Sequence, residues 1–214
     1  REREQRLNMN AAVYDSGDAP PHPELWHPPL PGNDPVDKVR YDIITRGQQD
    51  GNEHAALLDA DGNLLAMVQG GEKKIGNLGT VLASAKGATL YHNHPSAASF
   101  SAQDIMTAAD YELSGMVVYG TYEQAEYHFT LQMRGLAAKQ AAFDIADELK
   151  KPLGEAYRRA DLTRDETLAL HAHLMNLILD KKGVIKYEPI NPSAITARAM
   201  EKHKDLIARI MEKY

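Results

Sequence analysis

Residues 87–120 read "GATLYHNHPSAASFSAQDIMTAADYELSGMVVYG". "GATLYHNH" has the β-branched and aromatic content of a strand running into a loop at Pro95. "SAQDIMTAADYELSG" reads as a helix, with Ser101 at its N-cap and Gly115 just past its end. "MVVYG" reads as a second strand. Strand, helix and strand in succession make the pattern mixed α/β.

The pattern extends in both directions. "AALLDADGNLLAMV", residues 55–68, is two short strands around a "DADGN" turn, a hairpin signal. "EYHFTLQM", residues 126–133, is a further strand. After Arg134 the period becomes helical. "RGLAAKQAAFDIADELKK" is predicted to stop before Pro152, "TRDETLALHAHLMNLILDKKG" to stop at Gly183, and "NPSAITARAMEKHKDLIARIMEKY" to form a third helix capped by Ser193. No internal repeat is present. Residues 1–15 are polar and could begin with a short charged helix. Residues 16–35 hold seven of the eleven prolines, so they favour extended chain and read as a linker, although Trp26 within them is a candidate for packing on the domain. The expected organisation is a proline-rich segment (1–35), an α/β core (36–133) and a helical extension (134–214).

Composition narrows the function classes. The 214 residues carry a net charge of −6, with 43% hydrophobic and 25% charged residues, as in ordinary globular chains. The negative total argues against a nucleic-acid surface. No apolar run approaches the roughly 20 residues that span a bilayer. With no cysteine, disulfides, thiolate catalysis and Cys-based zinc sites are excluded. "REREQRLNMN" lacks the apolar stretch of a signal peptide, and a chain opening on Arg1 reads as a piece of something longer. The expectation is a soluble protein, cytoplasmic rather than secreted, with no membrane or nucleic-acid partner.

Chemistry concentrates in the opening stretch. In a strand, residues i and i+2 share a face, so His92 and His94 can present two imidazoles to one ion while Asn93 points away. Alone, H-x-H more often marks packed or hydrogen-bonded histidines. Asp104 adds a third donor from the first turn of the following helix, and two histidines with one carboxylate leave the fourth position of a zinc ion open. Ser101 and Asp104 also suit helix capping, which is compatible with ligation because a carboxylate has two oxygens. By contrast, His171 and His173 lie on a predicted helix, about 200° apart, and cannot chelate one ion; one is expected on the apolar face and the other in solvent. A metal-activated water needs a proton acceptor. Between the proline-rich segment and the histidines, the glutamates are Glu53 and Glu72. Glu72 stands in a glycine- and lysine-rich turn, whereas Glu53 stands at the start of a strand and fits better.

Glu53, His92-Asn93-His94-Pro95 and Ser101-Ala102-Gln103-Asp104 together resemble the pattern of the JAMM (MPN-type) metallopeptidases, and "HNHPS" looks like the RadC-like prokaryotic, bacterial branch. The resemblance covers roughly residues 40–133. It implies a curved mixed sheet flanked by helices, as in MPN and cytidine-deaminase-like folds. It also implies Zn2+ held by His92, His94 and Asp104, Glu53 as general base, and Ser101 orienting Asp104 or the water, or stabilising a developing oxyanion. The implied reaction is hydrolysis of a peptide or isopeptide bond in a protein substrate, including those at the C-termini of ubiquitin-like proteins. The nine residues from Pro95 through Gln103 are one fewer than the family's usual spacing. The difference falls in "SAASF", a loop that can absorb it. Alternative functions are a non-catalytic MPN-like assembly module and the effector or toxin end of a larger polypeptide. A zinc nucleobase deaminase is set aside, because its H-x-E and P-C-x-x-C signature is missing. The C-terminal helices, with apolar stripes such as Leu168, Leu174, Leu177 and Ile178, are expected to serve partner choice or self-association.

Overall fold

The computed structural model describes residues 26–71, 74–75 and 85–214. The charged helix expected within 1–15, most of the proline-rich segment and Glu72 lie outside the described residues.

Helix α1 (Pro35–Asp50) has no counterpart in the sequence reading above. Its start is nonetheless well specified: Asp34 accepts from the Val36 N–H at 2.9 Å, Pro35 occupies the first helical position, and Gly51 ends it at φ 74°. The predicted hairpin follows as β1 (His54–Leu58) and β2 (Leu64–Gly71). The Asp59 carboxylate accepts from the backbone N–H groups of Asp61 and Asn63 and so closes the turn. Then come β3 (Lys74–Ile75), β4 (Thr89–His94), α2 (Ala102–Asp110), β5 (Gly115–Gly120) and β6 (Glu126–Leu131). The C-terminal part is α3 (Gly135–Arg158), α4 (Arg164–Lys181), β7 (Ile185–Asn191), α5 (Ala194–Lys202) and α6 (Lys204–Met211).

The fold is mixed α/β: one sheet in the order β3-β2-β1-β4-β5-β6-β7, flanked by helices. β4 and β5 are parallel because α2 carries the chain back between them; the other pairs are antiparallel. The sheet separates two cores. On one face α1 packs Val39, Ile43 and Ile44 against Ala56, Leu58, Val117 and Tyr119, with Trp26 half-buried at its edge. On the other, α2 to α6 bury Leu57, Leu90, Met116, Val118 and Phe129 beneath residues such as Ile105, Leu149, Leu174 and Ile210.

Several sequence expectations need correction. Gly115 opens β5 and caps nothing; α2 ends at Asp110, where Leu113 N–H bonds the Ala108 carbonyl and turns Leu113 into the core. α3 runs through Pro152 to Arg158. Proline forfeits one hydrogen bond there, but Leu149, Leu153 and Ala156 continue a single buried stripe that holds the helix together. The final helix is two, broken at His203. The stretch read as helices alone also contains β7, whose Ile185 and Tyr187 point inward while Lys186 and Glu188 point out. The alternation spans only four residues before Pro189, which a strand at the sheet edge tolerates. Residues after 134 therefore complete the sheet and share the larger core with those before it. No helix among the described residues is long and apolar enough to cross a membrane.

Gly115 faces Thr130 across β5 and β6, where a Cβ would overlap the Phe129 carbonyl oxygen. Gly115→Ala is expected to lower stability by at least about 1–3 kcal/mol, read as a reduced urea midpoint at unchanged m-value.

Candidate metal centre

The centre forms at the C-terminal end of β4. Leu90, His92 and His94 alternate with Tyr91 and Asn93, so both imidazoles lie on the face covered by α2 to α6. His92 is 2% exposed and His94 8%. Their Nε2 atoms are 3.0 Å apart, with the ring planes at 71°. His94 Nδ1 donates to the Ala98 carbonyl at 2.9 Å, which leaves Nε2 as a lone pair.

Asp104 completes the group from the first turn of α2. Its oxygens lie 3.7 Å from His92 Nε2 and 3.9 Å from His94 Nε2. The expected capping box is present: Ser101 Oγ accepts from the Asp104 N–H, and Asp104 Oδ2 accepts from both the Ser101 N–H (2.7 Å) and its Oγ–H (2.8 Å). Those bonds fix the carboxylate and leave Oδ1 turned towards His92. Capping and a place in the donor group coexist, one oxygen to each.

One donor atom from each of His92, His94 and Asp104 lies within 4.8 Å of the others, so the three could hold a metal ion. A tetrahedral ion with bonds of about 2.0–2.1 Å would set its donors about 3.3 Å apart, and the 3.0 Å between the two Nε2 atoms and the 3.7 Å from His92 Nε2 to Asp104 Oδ1 lie on either side of that value. The protonation pattern fits too. Burial, with the neighbouring His94 adding to it, holds the His92 pKa down at about 4, so the ring is neutral, the form a metal requires. His92 Nδ1 is buried without a well-formed hydrogen bond; the Val117 backbone beside it favours a proton on that side. With His92 protonated at Nδ1, two Nε2 lone pairs face each other at 3.0 Å. A cation between them turns that repulsion into attraction.

Glu53 comes from the neighbouring strand. Ala55 pairs with His92 in the antiparallel register, so two residues further Glu53 stands across from His94. Its Oε1 lies 4.0 Å from His94 Nε2, with 41% of the side chain exposed at the rim. Burial raises its pKa, His94 opposes the rise and Asp104 adds to it. Glu53, His92, His94, Ser101 and Asp104, from three segments, thus converge on one point.

Sequence reasoning missed the residue that holds Glu53 in place. Asn93 does point to the opposite face, but it is fully buried there. Its Oδ1 accepts from the His54 N–H at 2.7 Å, and its Nδ2 donates to the Asn52 carbonyl at 3.1 Å and the Thr121 hydroxyl at 2.6 Å. It grips the backbone on both sides of Glu53. Gly47 of α1 lies so close that a Cβ there would strike the Asn93 amide. Only knowledge of α1 would have shown that a polar residue between the histidines is roofed over. The helical pair is also placed differently from expectation: His171 is half-buried against the Ala146 carbonyl (2.8 Å), and His173 is buried against the Tyr187 hydroxyl (2.9 Å), because α3 and β7 cover both sides of α4.

Comparison of the chain with models of known protein families, with curated proteins and with solved structures finds no match.

Asn93→Ala removes three hydrogen bonds and strands the buried His54 N–H. Stability is expected to fall by about 2–4 kcal/mol, measured by urea unfolding.

Proposed function

We propose that this protein is a zinc-dependent hydrolase of the JAMM metallopeptidase type, cleaving a peptide or isopeptide bond in a protein substrate. The observation that carries the reading is the convergence of three N/N/O donors with a partly exposed carboxylate: His92 and His94 at 3.0 Å, Asp104 at 3.7 and 3.9 Å, and Glu53 at 4.0 Å from His94. Three protein donors leave a tetrahedral zinc one open position, the arrangement of catalytic sites; structural sites are closed by four. A purely assembling module has no need of a base beside such a group. The protein substrate rests on the motif's resemblance.

Zinc bound there supplies Lewis acidity and brings a water's pKa near neutrality. The protein's own groups do the rest. His92 and His94 offer Nε2 lone pairs, that of His94 fixed by the bond from its Nδ1 to the Ala98 carbonyl. Asp104 contributes charge through an oxygen aimed by Ser101. Glu53, at the rim, takes a proton from the attacking water and returns it to the leaving amine. The rise in its pKa caused by burial suits both halves of that transfer. Ser101 has its Oγ committed to Asp104, which supports a positioning role over direct oxyanion contact.

Purified protein should carry about one zinc per chain, and His92→Ala or Asp104→Ala should each lose most of it, as read by elemental analysis. Stoichiometric zinc in a His92→Ala/His94→Ala double variant would remove the site.

Glu53→Gln should retain zinc and lower kcat on peptide and isopeptide-linked ubiquitin-like substrates by about 10²–10⁴-fold, since the amide keeps the shape and loses the basic oxygen. A fully active Glu53→Gln would overturn the assignment of the base.

A further inference from the structure

The loop joining the histidines to Asp104 is fastened from the far end of the chain. Its ends hold the candidate ligands: the Ala98 carbonyl takes the His94 Nδ1–H, and Ser101 holds Asp104 Oδ2. Its middle is tied elsewhere. Ser99 Oγ lies 2.7 Å from the Tyr187 hydroxyl of β7, and that hydroxyl lies 2.9 Å from Nδ1 of His173 on α4. One turn further along α4, Asn176 Nδ2 donates its two hydrogens to the Phe100 and Ala172 carbonyls, each at 2.8 Å, with Ser99 Oγ 3.2 Å away. Ser99, His173, Asn176 and Tyr187 are all buried.

One sense is open to this chain: Ser99 Oγ donates to the Tyr187 hydroxyl, and that hydroxyl donates to His173 Nδ1. Burial holds the His173 pKa down at about 4, so at neutral pH that nitrogen can carry the lone pair this bond needs. Each member accepts and donates in one sense, the arrangement in which buried hydrogen bonds reinforce one another. The loop itself is tight: Ala97 sits at φ 51°, a left-handed conformation that alanine adopts only under constraint. The ties at Ser99 and Phe100 add to the His94–Ala98 bond and the capping box in holding its two ends at the separation the donors require.

We propose that Tyr187, His173 and Asn176 are positioning residues of the metal centre, so that the C-terminal part of the chain sets how tightly the ion is held. The inference rests on the metal reading above and extends it to residues about 70 to 95 positions away in sequence.

The test is titration of Co2+ alone into the purified full chain, followed by its visible absorption, which reports both occupancy and coordination geometry. Wild type should bind about one equivalent. Tyr187→Phe, which keeps the ring, should weaken Co2+ about 10-fold or more and change the spectrum, in line with the usual effect of losing a group that orients a metal ligand. Ser99→Ala should do the same, and the double variant little more, because both remove one bond. Tyr127→Phe is the control for loss of a buried hydroxyl. Its ring stacks on Tyr187 at 6.4 Å, but its hydroxyl serves the Ser193 N–H and stays clear of the loop. It should lower the unfolding midpoint and leave Co2+ affinity unchanged. Wild-type affinity in both Tyr187→Phe and Ser99→Ala would overturn the proposal and leave the metal centre standing. So would equal weakening in Tyr127→Phe, which would reduce the effect to general stability. Wild type that takes up no Co2+ would overturn the metal centre itself, and this proposal with it.

Discussion

The antiparallel pairing that sets Ala55 against His92 is the constraint on which the rest of the centre depends. Strand side chains alternate strictly, so this one register puts Glu53, His92 and His94 on a common face and Asn93 on the other. A slip by one residue would exchange the faces, burying the imidazoles under α1 and aiming the amide at Asp104. The register is held by more than the ladder. Asn93 reaches across to the backbone of residues 52 and 54, and α1 approaches it closely enough to require glycine at position 47. The face under α1 therefore holds the alignment that the histidine face uses.

The polarity of the centre is costly in a core this well packed, and its surroundings show how the cost is met. His92 sits almost without solvent and, being neutral, escapes the desolvation penalty of a buried charge. The negative partner comes from the first turn of α2, where the positive end of the helix dipole and two hydrogen bonds from Ser101 favour a carboxylate. Glu53 alone keeps substantial contact with water. A dry donor group with one wetter acid at its rim is an arrangement in which a proton can be exchanged with the outside while the donors stay fixed.

The part of the chain beyond Arg134 turns out to be structurally continuous with what precedes it. β7 extends the sheet at β6, α3 and α4 cover the same face that bears the histidines, and Asn176 and Tyr187, the latter backed by His173, reach the loop between His94 and Ser101. Apolar stripes of the C-terminal helices, such as Leu174 and Ile178, are spent on this core, while Leu136, Phe143 and Tyr157 of α3 stay exposed.

What the sequence determined alone was local. The hairpin at Asp59–Asn63, the strand ending at His94, the capping box of Ser101 and Asp104, and the stop at Gly183 each depend on residues within a few positions of one another, and each stands in the structure as read. The donor group was legible for the same reason: period two puts His92 and His94 together, and one turn of helix returns Asp104 to them. Elements decided by packing were not legible. The course of α3 through Pro152 depends on a buried stripe outweighing one lost hydrogen bond, β7 is a strand because β6 offers it an unpaired edge, and the burial of Asn93 and His173 follows from α1 and β7 closing over them. Those outcomes are set by contacts between residues tens of positions apart, which only the tertiary structure brings within reach.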